Sequence, residues 1–412
     1  MLDITASPRL LPTLTDDARA VHGDLRELRR ALHREPEIGL DLPRTQEKVL
    51  AALAGLPLKT TLGRGATSVT GVLRGGGGEL GAARPVVLLR ADMDALPVQE
   101  LADVDYRSRI DGAMHGCGHD LHTAMLVGAA RLLSAHRDTL AGDVVFMFQP
   151  GEEGYDGARH MVTEGVLDAS GARVEAALAL HVTSSFLPAG VFATRRGPIM
   201  SAADVLRVTV RGAGGHGSAP HRAKDPIPAA CEMVTALQTL VTRRFDVFDP
   251  VVVTIGAFHA GTAHNVIPDE ATFEATVRSF SVESHARVLA ETVRVCEGIA
   301  AAHGLDIDAV ASELYPVTVN DAAEVDAFGH TVRELHGAER FVEMPNPLTG
   351  SEDFSRVLDA VPGTMAFLGT CLPDRDPATA PYNHSPEAAF DDRLLADGAA
   401  VYAEWARARL AT

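Results

Sequence analysis

The chain has 412 residues, of which 46% are hydrophobic and 22% charged, and its formal net charge is −18. These proportions are typical of a folded globular protein, and the length predicts two domains because single cores rarely grow beyond about 250 to 300 residues. The negative charge argues against nucleic acid and anionic membranes as partners, because both would repel the protein.

The N-terminus and the cysteines bear on where the protein works. Residues 1–17 lack the basic stretch and apolar run of a secretion signal, and no segment has the roughly 18 apolar residues of a membrane span. Four cysteines without a CxxC pair are too few for a disulfide framework. We therefore expect a cytoplasmic protein with reduced thiols.

The first half of the chain alternates helical and strand patterns, which predicts an α/β domain. In such a domain, ligands gather where loops leave the carboxyl ends of the strands. The glycine-rich stretch 75–85 between the first two strands is interpreted as a turn. The predicted helices span 16–32, 45–53, 121–133 and 157–164, and the predicted strands span 69–73, 86–89, 144–148 and 175–180.

Residues 199–313 follow a different order, in which strands and helices succeed one another as βαββαβ. This order matches a ferredoxin-like unit, so we predict a smaller domain, 199–313, inserted into a larger one made of 1–198 and 314–412. The inserted strands span 205–210, 251–258, 271–280 and 305–310, and its helices span 227–243 and 284–303. The remaining predicted elements are helices at 322–335 and 393–409 and a strand at 365–368.

The segment HGCGHDLHTA, residues 115–124, is the strongest local signal for a chemical site. A glycine separates Cys117 from His119, which allows both side chains to point at one atom. A thiolate with an imidazole suits zinc and its first-row neighbours, but the four ligands at CxxC-type spacing of a structural zinc site are absent. Distant ligands are therefore expected, with a nucleophilic Cys117 at a helix start as the alternative.

Carboxylates follow two of the predicted strands. Glu152 and Glu153 in QPGEEG point in different directions, so one can bind a metal while the other acts as general base. In RADMDALP, Asp92 and Asp94 lie on the same side of a strand because side chains alternate with period two, which suits support of nearby ligands. Solvated acidic turns remain the alternative interpretation of both motifs.

Two further histidines complete a set of metal ligands. His181 ends a predicted strand and His384 follows a long loop, and either alone is more often a hydrogen-bonded structural residue. Together with Cys117, His119 and Glu153 they supply five ligands. Five ligands are enough for two metal ions when one ligand is shared.

Nine motifs follow one another along the chain: RADMDALP, MHGCGHDLHTA, FQPGEEG, ALHV, GGHGSAPH, NVIPD, VRSF, TGSEDF and NHSP. In this order they resemble the motifs of the amidohydrolase branch of the metallopeptidase family that includes aminoacylases, carboxypeptidase G and the plant auxin-conjugate hydrolases. The resemblance covers nearly the whole chain and implies a zinc-exopeptidase-like α/β catalytic domain with an inserted ferredoxin-like lid domain.

The resemblance implies hydrolysis of the amide bond of N-acyl-L-amino acids by water activated at two divalent ions, Zn²⁺, Mn²⁺ or Co²⁺. Cys117 is expected to bridge the ions and Glu152 to act as general base. Asp92 and Asp94 are expected to support the ligands without binding metal. The other expected ligands are His119 and His181 on one ion and Glu153 and His384 on the other.

The resemblance also implies roles for residues outside the metal motifs. His216 in GGHGSAPH resembles the lid histidine that hydrogen-bonds the scissile carbonyl. Asn265 and Arg278 resemble lid residues that hold the substrate carboxylate, which an Arg fork binds in a bidentate manner. Gly350 in TGSEDF is a further expected substrate-binding residue. In this family a lid residue can come from a partner subunit, so a homodimer through the lid is also expected.

Two alternatives and one departure accompany this interpretation. A dipeptidase or carboxypeptidase would use the same dinuclear centre and differ in its substrate pocket. A metal-binding scaffold protein on the same fold would lack a ligand or the base, and none is missing. Asn383 stands where relatives frequently have a paired-histidine motif, HHP, so we expect it to alter the surroundings of His384.

Overall fold

The computed structural model describes residues 14–78 and 84–411. Part of the predicted glycine-rich turn, residues 79–83, therefore lies outside the described residues, as does the N-terminal segment 1–13. No helix within the described ranges is both long enough and apolar enough to cross a bilayer. The described residues form nine α-helices: α1 (Leu14–Arg34), α2 (Pro43–Leu53), α3 (His119–Ala135), α4 (Gly157–Thr163), α5 (Pro226–Arg244), α6 (Val282–His303), α7 (Ala322–His336), α8 (Ser355–Leu358) and α9 (Leu395–Leu410).

Strands make up two larger sheets and several short pairings. The strands of the first half of the chain are β1 (Leu58–Leu62), β2 (Val69–Arg74), β3 (Val86–Asp92), β4 (Asp143–Gln149), β5 (Ala176–Thr183), β6 (Phe192–Thr194), β7 (Gly197–Met200) and β8 (Ala202–Arg211). Those of the second half are β9 (Gly215–His216), β10 (Val251–Ala260), β11 (Val266–Ile267), β12 (Glu270–Ser279), β13 (Asp306–Tyr315), β14 (Thr318–Asn320), β15 (Phe341–Glu343) and β16 (Gly363–Gly369).

The chain divides into two compact units, each with its own hydrophobic core. The first unit contains the described residues up to Gly197, Val319–Pro345 and the residues from Arg356 onward. The second unit contains Pro198–Thr318 and Asn346–Ser355.

The first unit is built on an eight-stranded sheet with the strand order β1-β2-β4-β3-β5-β16-β6-β15. Its four central strands, β4, β3, β5 and β16, run parallel to one another. All residues of these strands are buried, which explains their nearly continuous apolar sequences. Because the strands are parallel, their carboxyl ends meet at one edge of the sheet.

Helices α1, α3 and α9 pack together beside this sheet and hold the start of α3 in place. Gly128 makes the close packing possible, because a Cβ at this position would lie 2.7 Å from both the Leu25 and the Ala399 side chains. Trp405 and Met125 lie fully buried in the same core. The helix that begins at His119 is therefore fixed by its neighbours along most of its length.

The second unit contains an antiparallel sheet with the strand order β10-β12-β8-β13. Buried and exposed residues alternate along β12, so one face of the sheet is buried and the other is open. Helices α5 and α6 pack against this sheet around the core residues Leu206, Met233 and Phe273. The order β8-α5-β10-β12-α6-β13 and the sheet topology are those of a ferredoxin-like unit, and the predicted fold class is confirmed.

The structure corrects several predicted strands. Strand β1 was not predicted, because four of its five residues are exposed and give no apolar alternation. Strands β6, β7, β14 and β15 were not predicted either, because they have only three or four residues each. The strand predicted over 175–180 extends to Thr183, so His181 lies inside β5 and does not end it.

Candidate active site

The predicted metal ligands of the first unit lie near the carboxyl ends of its parallel strands. Asp92 is the last residue of β3, and His181 lies two residues before the end of β5. An α/β sheet gathers its ligands at this edge because the loops leave the strands there. The loops after β4 and β16 and the start of α3 carry the other predicted residues: Glu152 and Glu153, His384, and Cys117 with His119.

Gly118 determines the directions of the two residues beside it. Its φ of +86° is a left-handed conformation that glycine adopts without steric cost, and it caps the N-terminus of α3. A Cβ at this position would collide with the side chain of Val182. Only glycine therefore fits between Cys117 and His119, whose donor atoms converge.

The predicted ligands form two groups that share Cys117. In the first group the donor atoms of Cys117, His119 and His181 lie within 4.8 Å of one another, with 3.4 Å between Cys117 Sγ and His181 Nε2. In the second group the donor atoms of Cys117, Glu153 and His384 lie within the same limit, with 3.0 Å between Glu153 Oε1 and His384 Nε2. One sulfur atom is thus close to both groups, which suits a ligand shared by two ions.

Backbone carbonyls orient two of the imidazoles so that Nε2 faces the cluster. His119 Nδ1 donates to the carbonyl oxygen of Asp94 at 2.9 Å, and His181 Nδ1 donates to that of Val182 at 2.8 Å. The buried Nε2 of His119 has no hydrogen-bond partner of good geometry among the described residues. A buried imidazole nitrogen without such a partner, beside a thiol and a carboxylate, fits a divalent metal ion of the zinc, manganese or cobalt type.

Asp94 connects the two carboxylates of QPGEEG to the cluster. Its Oδ1 accepts the backbone N–H of Glu152 and its Oδ2 accepts that of Glu153, both at 3.0 Å. Its carbonyl oxygen holds His119, as described above. Asp94 therefore fixes three residues of the site, and the donor atoms of Glu152 lie within 4.8 Å of those of His119 and Glu153.

His122 is a part of the site that the sequence analysis missed. Its Nδ1 lies 2.5 Å from Oδ1 of Asp92, and its Nε2 accepts the backbone N–H of Val182 at 2.7 Å. Although Asp92, His119 and His122 lie close enough to form a third ligand group, both nitrogens of His122 are already in use. The signal was present in HGCGHDLHTA, since positions 119 and 122 lie on one face of a helix.

Asn383 joins three segments at the site. Its amide nitrogen donates to the carbonyl oxygens of Cys117 at 3.2 Å and Val182 at 3.0 Å, and its Oδ1 accepts the N–H of Ser184 at 3.0 Å. The next residue, His384, has a φ of +73°, a conformation that few residues other than glycine adopt. The substitution noted in the sequence analysis thus fixes the loop that carries His384.

The charges in the cluster depend on one another. Hydrogen bonds with Cys117 and Glu153 raise the pKa of His384 to about 10, while burial raises the pKa of the Cys117 thiol. Burial opposes ionisation of Glu153, but the hydrogen bond from His384 lowers the pKa of this carboxyl below its ordinary value. Burial lowers the pKa of His181 well below its ordinary value. Metal binding here would therefore release protons from Cys117 and His384.

The remaining predicted residues lie in the second unit. His216 and Asn265 are brought together by the short ribbon of β9 and β11, in which the N–H of Gly217 donates to the carbonyl oxygen of Asn265 at 2.8 Å. Arg278 on β12 donates to the Ser351 hydroxyl at 3.1 Å, next to Gly350. The second unit thus holds the four residues as two pairs, His216 with Asn265 and Arg278 with Gly350.

A buried cysteine, imidazoles and paired carboxylates at a sheet edge are the residue types of a metal-dependent hydrolase site. Residues 88–408 match the family model described as Peptidase family M20/M25/M40. The chain belongs to this family, which confirms the predicted resemblance, and it is a hydrolase that acts on amide C–N bonds.

Named relatives match nearly the whole chain. Thermostable carboxypeptidase 2 of Saccharolobus solfataricus is 36% identical over 96% of this chain and 97% of its own length. IAA-amino acid hydrolase ILR1-like 4 of Arabidopsis thaliana is 38% identical over 92% of this chain and 84% of its own length. Hippurate hydrolase of Campylobacter jejuni is 35% identical over 96% of this chain and 98% of its own length.

A solved structure supports the nature of the cofactor. The YXEP protein of Bacillus subtilis, described as a dinuclear metal-binding peptidase from the M20 family, superposes with a TM-score of 0.81 at 32% sequence identity. The match covers 96% of this chain and 99% of that one. Together with the two ligand groups around Cys117, this likeness supports divalent metal ions as cofactors.

Proposed function

We propose that the protein hydrolyses the amide bond of N-acyl-L-amino acids with the help of two divalent metal ions. The observation that carries the proposal is the position of Cys117 Sγ, which belongs to both ligand groups. The names of the relatives hippurate hydrolase and IAA-amino acid hydrolase support this substrate class. In the proposed centre Cys117, His119 and His181 would hold one ion, and Cys117, Glu153 and His384 would hold the other.

Glu152 is proposed as the general base. Bound divalent ions lower the pKa of water and polarise a carbonyl oxygen. Glu152 is buried beside His119 and Glu153, and Asp94 fixes its backbone. In the proposed reaction Glu152 takes a proton from the attacking water and delivers it to the amide nitrogen as the C–N bond breaks. The products are a carboxylic acid and a free amino acid.

We propose the second unit as a lid that supplies substrate-binding residues. His216 would donate a hydrogen bond to the scissile carbonyl oxygen, where negative charge develops. Arg278, with Asn265 and Gly350, would hold the substrate carboxylate, since a guanidinium binds carboxylates in a bidentate manner. The pairing of His216 with Asn265 and of Arg278 with the Gly350 segment supports a shared role of these residues.

A second candidate function is that of a carboxypeptidase or dipeptidase with the same dinuclear site. The likeness to thermostable carboxypeptidase 2, at 36% identity, favours this alternative. Both functions break an amide bond next to an amino acid. They differ in the group on the acyl side, which is a simple carboxylic acid in one case and an amino acid or peptide in the other.

Three finer properties are part of the proposal. Zinc, manganese or cobalt would occupy the centre, because Cys, His and Glu ligands suit all three. The cytoplasm is the proposed location, supported by four cysteines that are all unpaired. A homodimer through the second unit is supported by the exposure of Val247 and Phe248, which are 79% and 93% accessible.

Amine release from a substrate panel tests the proposed function. The panel compares N-acyl-L-amino acids with dipeptides, using protein stripped by a chelator and then supplied with zinc, manganese or cobalt. The proposal expects hydrolysis that returns with metal and favours acyl-amino acids. A preference for dipeptides would support the peptidase instead, and full activity without metal would contradict both.

A further inference from the structure

Three aromatic side chains form a continuous row that begins at His181. Phe367 on β16 is the direct register partner of His181 on β5, and their rings are 5.7 Å apart between centroids. Phe186 lies 6.2 Å from Phe367, and Tyr382 lies 6.0 Å from Phe186. We call Phe186, Phe367 and Tyr382 the aromatic platform. It extends from a proposed metal ligand in the same unit.

The platform exposes apolar surface that folding would ordinarily bury. Phe186 is 37% exposed and Tyr382 is 53% exposed, whereas Phe367 beneath them is buried. Phe186 also has a φ of +52°, a left-handed conformation that aromatic residues rarely adopt. Exposed and strained residues of this kind cluster at binding sites, where the surrounding structure holds them in place.

Hydrogen bonds hold the platform rigid although it is exposed. The N–H of Phe186 donates to the carbonyl oxygen of Pro377 at 2.7 Å. The hydroxyl of Ser184 donates to the carbonyl oxygen of Pro381 at 2.7 Å, and the N–H of Ser184 donates to Asn383 at 3.0 Å. The loops after β5 and β16 are thus joined along their length, so the rings need little ordering when a ligand binds.

We propose that the aromatic platform binds the acyl group of the substrate, so that the enzyme prefers N-acyl amino acids whose acyl group is aromatic. The inference rests on the proposed function, since it assigns one half of that substrate to a surface. Aromatic rings pack well against other rings in offset or edge-to-face arrangements. The fit is therefore to a planar, uncharged group attached to the scissile carbonyl.

The charge of the platform distinguishes the acyl half of the substrate from the amino acid half. Segments 183–188 and 377–383, both fully described, contain no Lys, Arg or His. The amino acid half carries a carboxylate next to the scissile nitrogen, and burying that charge without a cation is costly. The acyl half carries no such charge, so it is the half that the platform accommodates.

The test compares N-benzoylglycine, N-acetylglycine and N-acetyl-L-phenylalanine as substrates of the metal-loaded enzyme. We expect Phe186→Ala and Tyr382→Ala each to lower kcat/KM for N-benzoylglycine by about tenfold or more, because each removes a large apolar contact. N-acetylglycine should change by less than about twofold in the same variants, since acetyl offers little surface to the rings. Tyr382→Phe keeps the ring and should behave like wild type. Leu62→Ala, at an exposed position on the edge strand β1, is the matched control.

The other outcomes overturn the inference in recognisable ways. A selective loss with N-acetyl-L-phenylalanine would assign the platform to the amino acid side chain. An equal loss with all three substrates would show a general role in the structure of the site. Calorimetric binding of benzoate to wild type and to Phe186→Ala separates the inference from the proposed function. Equal benzoate affinity of the two proteins overturns the platform even if no acyl-amino acid is hydrolysed, whereas weaker binding by the variant supports it.

Discussion

At the scale of single residues, Glu152 and Glu153 are adjacent in the chain, yet their side chains have different neighbours. Glu153 is hydrogen-bonded to His384 and belongs to a ligand group with Cys117, whereas Glu152 is near His119 and is the proposed base. Replacing the base should therefore separate metal binding from turnover, because the ligands stay intact.

Glu152→Gln should retain its metal and lose activity by about a hundredfold or more, since a positioned base contributes at least that factor. Elemental analysis of the purified variant and initial rates with an acyl-amino acid measure the two properties. Glu175→Gln, at an exposed position of the first unit, is the control. A variant that keeps normal turnover would remove Glu152 from the role of base.

His122 should affect the centre through the position of His181. It joins Asp92 to the N–H of Val182, and the carbonyl oxygen of Val182 holds His181 Nδ1. We expect His122→Gln to weaken metal binding about 10- to 100-fold, which is the usual cost of losing a residue that orients a ligand. Equilibrium dialysis against a competing chelator gives the affinity.

The control for this change is His136→Gln, which removes another histidine–aspartate pair at the opposite end of α3. Its metal affinity should match that of wild type. Equal affinities in wild type and His122→Gln would mean that His122 is an ordinary core residue.

At the scale of elements, a buried ionic cluster ties α1 to the start of α3. His33 donates from Nδ1 to Asp120 at 2.8 Å and from Nε2 to Glu100 at 3.0 Å, and Arg29 pairs with Asp120 at 2.7 Å. Burial by itself would lower the pKa of His33, but the Asp120 and Glu100 carboxylates outweigh it and raise this pKa above 6.5. Because both ring nitrogens face carboxylates, the cluster favours the protonated form of His33.

The raised pKa of His33 makes part of the stability depend on pH. Below about pH 6.5 the imidazole is protonated in both the folded and the unfolded state, so its contribution is fully present. As pH rises toward the folded pKa, only the unfolded state loses the proton, and the contribution declines. The thermal midpoint of wild type should thus fall as pH rises above 6.5. The thermal midpoint of His33→Gln should fall less over the same pH range, because the variant lacks the imidazole that loses its proton.

The same variant should be less stable than wild type at pH 6.5 by about 3 kcal/mol, because it removes the cation that faces two buried carboxylates, Asp120 and Glu100. Thermal unfolding at several pH values measures both effects. Parallel pH profiles of the two proteins would contradict a charged His33.

The sequence predicted the long elements and the local motifs well, for physical reasons that differ between elements. The buried strands β3, β4, β5 and β16 have apolar runs that a parallel sheet requires, α6 has a clear helical periodicity, and α3 has an apolar stretch long enough for a buried helix. The edge strand β1 has neither signal. Which residues meet across the sheet, such as Phe367 beside His181, depends on strand order, and no single sequence reveals that order.

Side chains that work through hydrogen bonds were the least visible from the sequence. His122 was not predicted as part of the site, and Asn383 was predicted only to alter the surroundings of His384, because the hydrogen bonds of both residues go to backbone groups of Val182 and Cys117. Backbone N–H and C=O groups are the same in nearly every residue, so the sequence does not show which of them a side chain will contact. The five predicted ligands were recognisable because the side chains of Cys, His and Glu can themselves bind metal ions.

At the scale of the whole molecule, the proposed metal binding and the proposed substrate binding belong to different units. The proposed ligands and the proposed base belong to the first unit, and His216, Asn265 and Arg278 belong to the second. A change in the second unit should therefore alter turnover and leave metal binding unchanged.

His216→Ala should reduce kcat roughly a hundredfold, because loss of one donor to a developing oxyanion typically costs that much. Its metal content should equal that of wild type. His259→Ala replaces another exposed histidine of the same unit and should be active. A reduction of less than about tenfold would be too small for an oxyanion donor and would exclude that role.

The proposed dinuclear centre depends on Cys117 as the ligand shared by two metal ions. Equilibrium dialysis followed by elemental analysis of wild type, Cys117→Ala and Cys117→Asp measures how many ions each protein binds. We expect two ions per chain in wild type, at least partial retention with the anionic Asp, and loss of both sites with Ala. Saturation of wild type at a single ion, or two ions bound to Cys117→Ala with unchanged affinity, would contradict this role of Cys117.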